Sequence, residues 1–178
     1  LAVHGFSHSH PQRFTLDLLN TALGGGMSSR LFTEIRENRG LAYDIHSYVD
    51  HFHNSGSFTI YAGVDPKKVE TAVAAILEEM SKLKQGITPE ELARAKELSK
   101  GRLQLQLENS QSMALGLSSR EILRQQILSV DDVTSIIDAI TAEDVERVAK
   151  ELLNTEQLSL AIVGPAKEEE ALLELLRI

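Results

Sequence analysis

Residues 41–64 constrain this chain more than any other part of it. Leu41 to Phe52 and Ser57 to Val64 are strand-like, and His53-Asn54-Ser55-Gly56 lies between them. Short polar residues ending in glycine have hairpin chemistry, so the two stretches are expected to pair antiparallel. Such a pair must bury one face, and the sequence on either side offers helices to cover it.

Upstream, Leu1 to Ser9 shows period-two spacing, with Ala2, His4, Phe6, His8 and His10 on one side, and predicts a strand ending at His10-Pro11. Phe14, Leu16, Leu18, Leu19, Ala22 and Leu23 recur at helical intervals, giving an amphipathic helix over Arg13 to Leu23. Gly24-Gly25-Gly26 reads as its end, because successive glycines permit backbone angles that a helix does not use. A second helix follows, capped by Ser28 or Ser29, with Leu31, Phe32 and Ile35 inward and Gly40 as its stop.

Downstream, Asp65-Pro66 opens a helix carrying Val69, Ala72, Val73, Ile76, Leu77, Met80 and Leu83. Thr88-Pro89-Glu90-Glu91 is a capping box that opens the longest helical stretch, with Gly101, Asn109-Ser110 and Gly116 as candidate bends and helix resuming over Ile122 to Leu128. Further capped helices begin near Ser129 to Asp132 and Thr141 to Asp144. Gln157 to Val163 alternates as a last strand, Gly164-Pro165 turns the chain, and Lys167 to Leu176 forms a terminal helix. This order predicts an α+β fold, a mostly antiparallel sheet covered by helices, with residues 1–178 as a single domain. The chain opens in a strand at Leu1-Ala2-Val3 without a methionine, and a fragment of a longer two-domain chain is expected.

Composition removes several function classes. A formal charge of −8, spread along 178 residues, repels phosphate backbones and anionic lipids, so neither nucleic acid nor membrane is an expected partner. With no cysteine there is no disulfide framework, thiolate catalysis or cysteine-ligated zinc, and the chain fits a reducing, cytoplasmic setting. Six histidines invite a metal reading, and His4, His8 and His10 with His46, His51 and His53 could converge if their strands were neighbours. Yet no H-x-x-E-H or H-x-x-H pair stands on a predicted helix, so no metal site is expected. No serine sits in a G-x-S-x-G elbow, and Gly24 to Gly26 lacks the G-K-[ST] ending of a phosphate loop.

Arginine and tyrosine near residue 40 are the remaining candidates. Arg36 and Arg39 complement the carbonyl end of the second helix, which accounts for both structurally. Alternatively, Arg36 projects past the helix end toward Tyr43, where a guanidinium fork and a phenol hold peptide carbonyls and polarise one of them. Strand parity sets Tyr43 with Leu41, Ile45 and Val49, the apolar set, against Asp44, His46 and Tyr48. For Tyr43 to act, either it lies close enough to the strand end to turn outward or a bulge after Gly40 resets the alternation.

Gly24-Gly25-Gly26-Met27-Ser28-Ser29-Arg30-Leu31-Phe32, then Glu34-Ile35-Arg36-Glu37 and Gly40-Leu41-Ala42-Tyr43, resembles the second, non-zinc-binding half-domain of the pitrilysin/insulinase family of zinc peptidases, of the mitochondrial-processing-peptidase type. The likeness continues through Gly56-Ser57-Phe58, Thr88-Pro89-Glu90-Glu91-Leu92, Thr141-Ala142-Glu143-Asp144-Val145 and Val163-Gly164-Pro165. It implies a LuxS/processing-peptidase-like metallohydrolase half-domain that closes with a catalytic N-terminal half, in cis or in trans, around a peptide substrate. Zinc is then expected in that other half and none in this chain, which alone neither binds catalytic zinc nor cleaves peptides. Arg36 and Tyr43 match the arginine and tyrosine that reach across to the catalytic half, and Gly24, Gly25 and Gly26 match a loop linked with substrate recognition. The resemblance admits a homodimer, and equally a non-catalytic scaffold like the core subunits of respiratory complexes. A self-contained histidine-metal enzyme is the remaining rival.

Overall fold

The computed structural model describes residues 1–124, 128–165 and 169–178. Its sheet has three antiparallel strands, β1 (Ala2–Gly5), β2 (Ala42–His51) and β3 (Gly56–Val64), in the order β1-β3-β2. The expected hairpin forms, closed by the Phe52 amide donating to the Ser55 carbonyl at 2.9 Å. Val3, Ile45, Phe58 and Ile60 point to the buried inner face, while His46, Tyr48, Asp50 and Tyr61 stand on the outer face. The α+β class with an antiparallel sheet under helices is therefore borne out.

The first strand is shorter than its period-two spacing suggests. Val3 and Phe6 are both buried, which no single strand face can achieve at that separation, so the alternation ends at Gly5. There the chain crosses the end of the hairpin, with the His8 amide donating to the Phe52 carbonyl at 2.8 Å.

Helix α1 (Arg13–Gly24) lies on the inner face, packed against β2 and against α3 (Pro89–Leu107) and α6 (Ala142–Leu152). Two polar residues of β2 meet it. The Ser47 hydroxyl donates to Asn20 Oδ1 at 2.6 Å, and the His51 ring lies between the Phe6 carbonyl at 2.6 Å and the Asp17 carboxylate at 3.0 Å. Burial pulls the His51 pKa down, but the Asp17 carboxylate, the Phe6 carbonyl and Asp50 outweigh it, and the pKa ends above its ordinary 6.5.

Helix α1 ends at Gly24 with Gly25 as its C-cap, as expected, but the physical reason given for the three glycines needs correction. The glycines with positive φ are Gly40, Gly86 and Gly164, while Gly25 keeps φ at −81°. Close approach is what Gly24 supplies: a Cβ there would lie 2.6 Å from the Ser47 amide nitrogen, so only a glycine lets α1 rest on β2 at that point.

The second helix is also different from the expectation. Its body is a π-helix, Phe32–Asn38, recognisable from the Arg39 amide donating to the Glu34 carbonyl five residues back. Leu31 and Ile35 are buried as expected, whereas Phe32 is only half-buried. Neither serine caps it: the buried Ser29 hydroxyl finds no hydrogen-bond partner among the described residues.

Downstream the capping signals hold. Asp65 accepts from the Lys67 amide to start a short 3-10 turn, Pro66–Lys68, that leads into α2 (Val69–Leu83). Reciprocal capping boxes open α3 (Thr88 with Glu91), α5 (Val130–Ala139; Ser129 with Asp132) and α6 (Thr141 with Asp144). Gly101 and Gly116 do not break their helices; the break falls at Asn109, between α3 and α4 (Ser110–Arg124), where the Asn109 side chain accepts from the Ser112 amide. Gln125 to Ile127 of the expected resumption, and Lys167 and Glu168 of the terminal helix, lie outside the described residues, and α7 spans Glu169–Leu175.

The last predicted strand is reduced to one bridge, Ser159 with Ala2, after a 3-10 turn at Thr155–Gln157. Ala161 to Val163 belong to no strand, and Ile162 and Val163 are exposed.

Candidate functional site

Tyr43 is turned outward by a β-bulge. Ala42 pairs with Val64 and Asp44 with Gly63, so Tyr43 is the extra residue of β2 and the alternation resets after it. This is one of the two geometries that would expose it. Ala42, Ile45, Ser47 and Val49 then face inward, and Tyr43 is 72% exposed. Its ring lies across Gly63, where a Cβ would come within 2.7 Å of the phenol oxygen and 2.8 Å of a ring carbon.

Tyr43 does not stand alone on that face. The chain has three tyrosines, and the other two, Tyr48 and Tyr61, are 43% and 46% exposed. His46 pairs across the strands with Tyr61, their ring centroids 5.1 Å apart, and its own neighbour Tyr48 is at 6.1 Å. The Tyr61 phenol is pushed above its ordinary range, first by the Tyr43 phenol beside it, then by burial and by Asp44. Asp44 also reaches His46 at 3.6 Å. Beside Tyr43, a cleft of about 530 Å³ opens between β3, α2 and residues 160–165.

The three arginines of the preceding segment divide by what holds them. Arg30 forms a bidentate pair with Glu91 at 2.6 and 2.8 Å and donates to the Gly86 carbonyl at 3.1 Å. Its side-chain hydrogen bonds hold the Glu91 carboxyl below its ordinary range. Arg39 reaches Glu78 on α2 at 2.8 Å. Arg36 is held by its own helix: Glu37 next to it at 3.5 Å and the Phe32 ring under its guanidinium at 4.9 Å. It keeps 42% of its side chain exposed, on a π-helix that ends five residues before Tyr43.

The remaining candidates separate from this face. Gly24 packs against the inner face of β2 at Ser47, Gly26 lies near Leu98 of α3, and the Gly25 carbonyl accepts from Arg102. The histidines do not converge: His10 stacks on Phe6, His51 is bound to Asp17, and His4 and His46 are on the outer face. Among the described residues no three His, Asp or Glu groups come together as a metal would require. No helix among the described residues is long and apolar enough to cross a membrane.

Sequence reasoning passed over Gly63 and Tyr61. A glycine inside a strand is a signal of a bulge or close approach, and counting back from the hairpin turn places Tyr61 opposite His46.

Comparison with known proteins bears on the same segment, since the model of the peptidase M16 inactive domain matches residues 1–99. The chain belongs to the peptidase M16 inactive-domain family. A zinc protease of Streptomyces coelicolor, itself uncharacterized, is 37% identical over 172 residues, which cover 96% of this chain and 37% of that protein. This M16 domain thus spans well under half the length of the curated relatives it matches. A protease from Helicobacter pylori superposes with a TM-score of 0.80 at 27% identity, over 88% of this chain and 38% of that one. A chain of Complex III2 from Candida albicans shares the fold with a TM-score of 0.77 at 23% identity, over 86% of this chain and 39% of that one. The resemblance to zinc peptidases read from the motifs is borne out.

Proposed function

We propose that this M16 inactive domain is the substrate-binding half of a two-part zinc endopeptidase that processes peptides or presequences. The catalytic half, with the zinc, lies outside residues 1–178, in the same longer chain or in a second one. The observation that carries the reading is the shared exposure of Arg36, whose ion pair is with the adjacent Glu37, and Tyr43, in a segment whose other arginines pair with Glu91 and Glu78 of other helices. A guanidinium presents two parallel N–H donors and a phenol one O–H donor, a set suited to peptide carbonyls and to the oxygen that gains charge when a carbonyl is attacked. Gly24, Gly25 and Gly26 enter this reading through the packing of α1 and α3, which sets the entry to the π-helix, rather than by touching substrate.

The test is kinetic, in the complete protein. Arg36→Ala and Tyr43→Phe are expected to lower kcat/KM by about 10²-fold to 10³-fold, as loss of one charge-stabilising donor does, with unchanged zinc content and thermal midpoint. Wild-type turnover in both variants removes the proposed roles.

A second reading, a non-catalytic scaffold of the same family, is favoured by the shared fold with the Complex III2 chain. It predicts that the complete assembly has no peptidase activity and that both substitutions are silent.

A further inference from the structure

We propose that Gly63 is a positioning residue for Tyr43, by leaving the space in which its ring lies. The proposal rests on the substrate-binding role of Tyr43.

The geometry begins with the bulge. Two residues of β2, Tyr43 and Asp44, stand against the single residue Gly63, which turns the Tyr43 side chain outward and across β3. A ring on an exposed sheet face would ordinarily sample several rotamers and leave its hydroxyl without a fixed place. Here the ring rests where the Gly63 side chain would be, so any Cβ at position 63 displaces it: the phenol oxygen would be 2.7 Å from that atom and a ring carbon 2.8 Å. Gly63 has no positive φ, which leaves close approach as the reason for a glycine inside a strand at this point.

The outcome is a phenol whose ring is seated by an absent side chain. A misplacement of about 1 Å in such a donor is enough to cost roughly 100-fold in rate.

Two measurements test this. In the complete protein, Gly63→Ala is expected to lower kcat/KM by about tenfold to a hundredfold, mainly through kcat, and to add little in a Tyr43→Ala background, because it acts only through that ring. An undiminished loss in the Tyr43→Ala background overturns the positioning role of Gly63. The second readout needs no activity. Residues 1–178 contain three tyrosines and no tryptophan, so phenolate absorbance of this chain against pH reports Tyr43, Tyr48 and Tyr61 alone. Displacing the Tyr43 ring moves its phenol relative to Tyr61, so Gly63→Ala is expected to shift this titration. An unchanged titration in Gly63→Ala shows that the ring is not displaced and overturns the proposal. If Tyr43→Phe is kinetically silent while the Gly63→Ala titration moves as stated, the substrate-binding reading fails and the seating of the ring on Gly63 stands.

Discussion

The two faces of one hairpin carry different kinds of residue and use them differently. On the inner face, Ile45, Phe58 and Ile60 are buried, and the two polar residues there, Ser47 and His51, are tied to α1 through Asn20 and Asp17. On the outer face, all three tyrosines, His46, Asp44 and Asp50 remain in solvent, touching mostly one another. Stability needs the first set and has little use for the second. A sheet face that spends three aromatic rings outside the core is one whose side chains answer to something other than folding.

Substitutions on the two faces should therefore separate stability from turnover. The largest effect is expected at Phe58, which is 2% exposed: Phe58→Ala leaves a cavity and should cost about 3–5 kcal/mol in denaturant unfolding. On the outer face, where Tyr48 pairs with Thr59, Tyr48→Thr should stay within about 0.5 kcal/mol of wild type. Equal losses at the two positions would erase the distinction between the faces. Next comes Gly24→Ala, which forces a Cβ against the Ser47 amide and should cost about 1–3 kcal/mol through overpacking, read in the same unfolding assay. If Gly24→Ala is neutral, the close seat of α1 on β2 is not needed.

The smallest effect is a pH dependence of the inner face. The His51 pKa lies above its unfolded value, so its pairing with Asp17 stabilises the fold fully below about 6.5, and that contribution is lost as the pH rises through the folded value. Urea midpoints measured across that window should fall with rising pH in wild type, and Asp17→Asn should flatten this part of the profile. The capping carboxylates run the opposite way. Asp132 and Asp144 have lowered pKa values and contribute above their unfolded range, losing it only as the solution becomes acidic. A wild-type midpoint that climbs from neutral to mildly alkaline pH would contradict the His51 assignment.

Much of this was legible from the residues. The hairpin declared itself through His53-Asn54-Ser55-Gly56, and three helix starts through Thr88/Glu91, Ser129/Asp132 and Thr141/Asp144, because each is a local signal satisfied within four residues. What failed depended on partners far away in the chain. Gln157 to Val163 alternates like a strand but meets the sheet in the single bridge between Ser159 and Ala2. Gly24 was read as an angle and proved to be a contact, since Ser47 is brought to it by the tertiary fold. The bulge at Tyr43 sits between these cases. Parity alone showed that Tyr43 was on the wrong side of its strand, and a bulge was one of two ways to correct that, but choosing it required the register against Gly63.

On the proposed reading, this domain presents Arg36 and Tyr43 to a peptide. The most direct measurement is the kcat/KM of Arg36→Ala beside Arg39→Ala in the complete protein, since both belong to the end of one helix and differ in what holds them. The account predicts a loss of about 100-fold or more for Arg36→Ala with an unaltered thermal midpoint. Arg39→Ala should keep near-wild-type turnover and lose at most about 1 kcal/mol with its Glu78 pair. Equal turnover in the two variants, at either the wild-type or the impaired level, would contradict it.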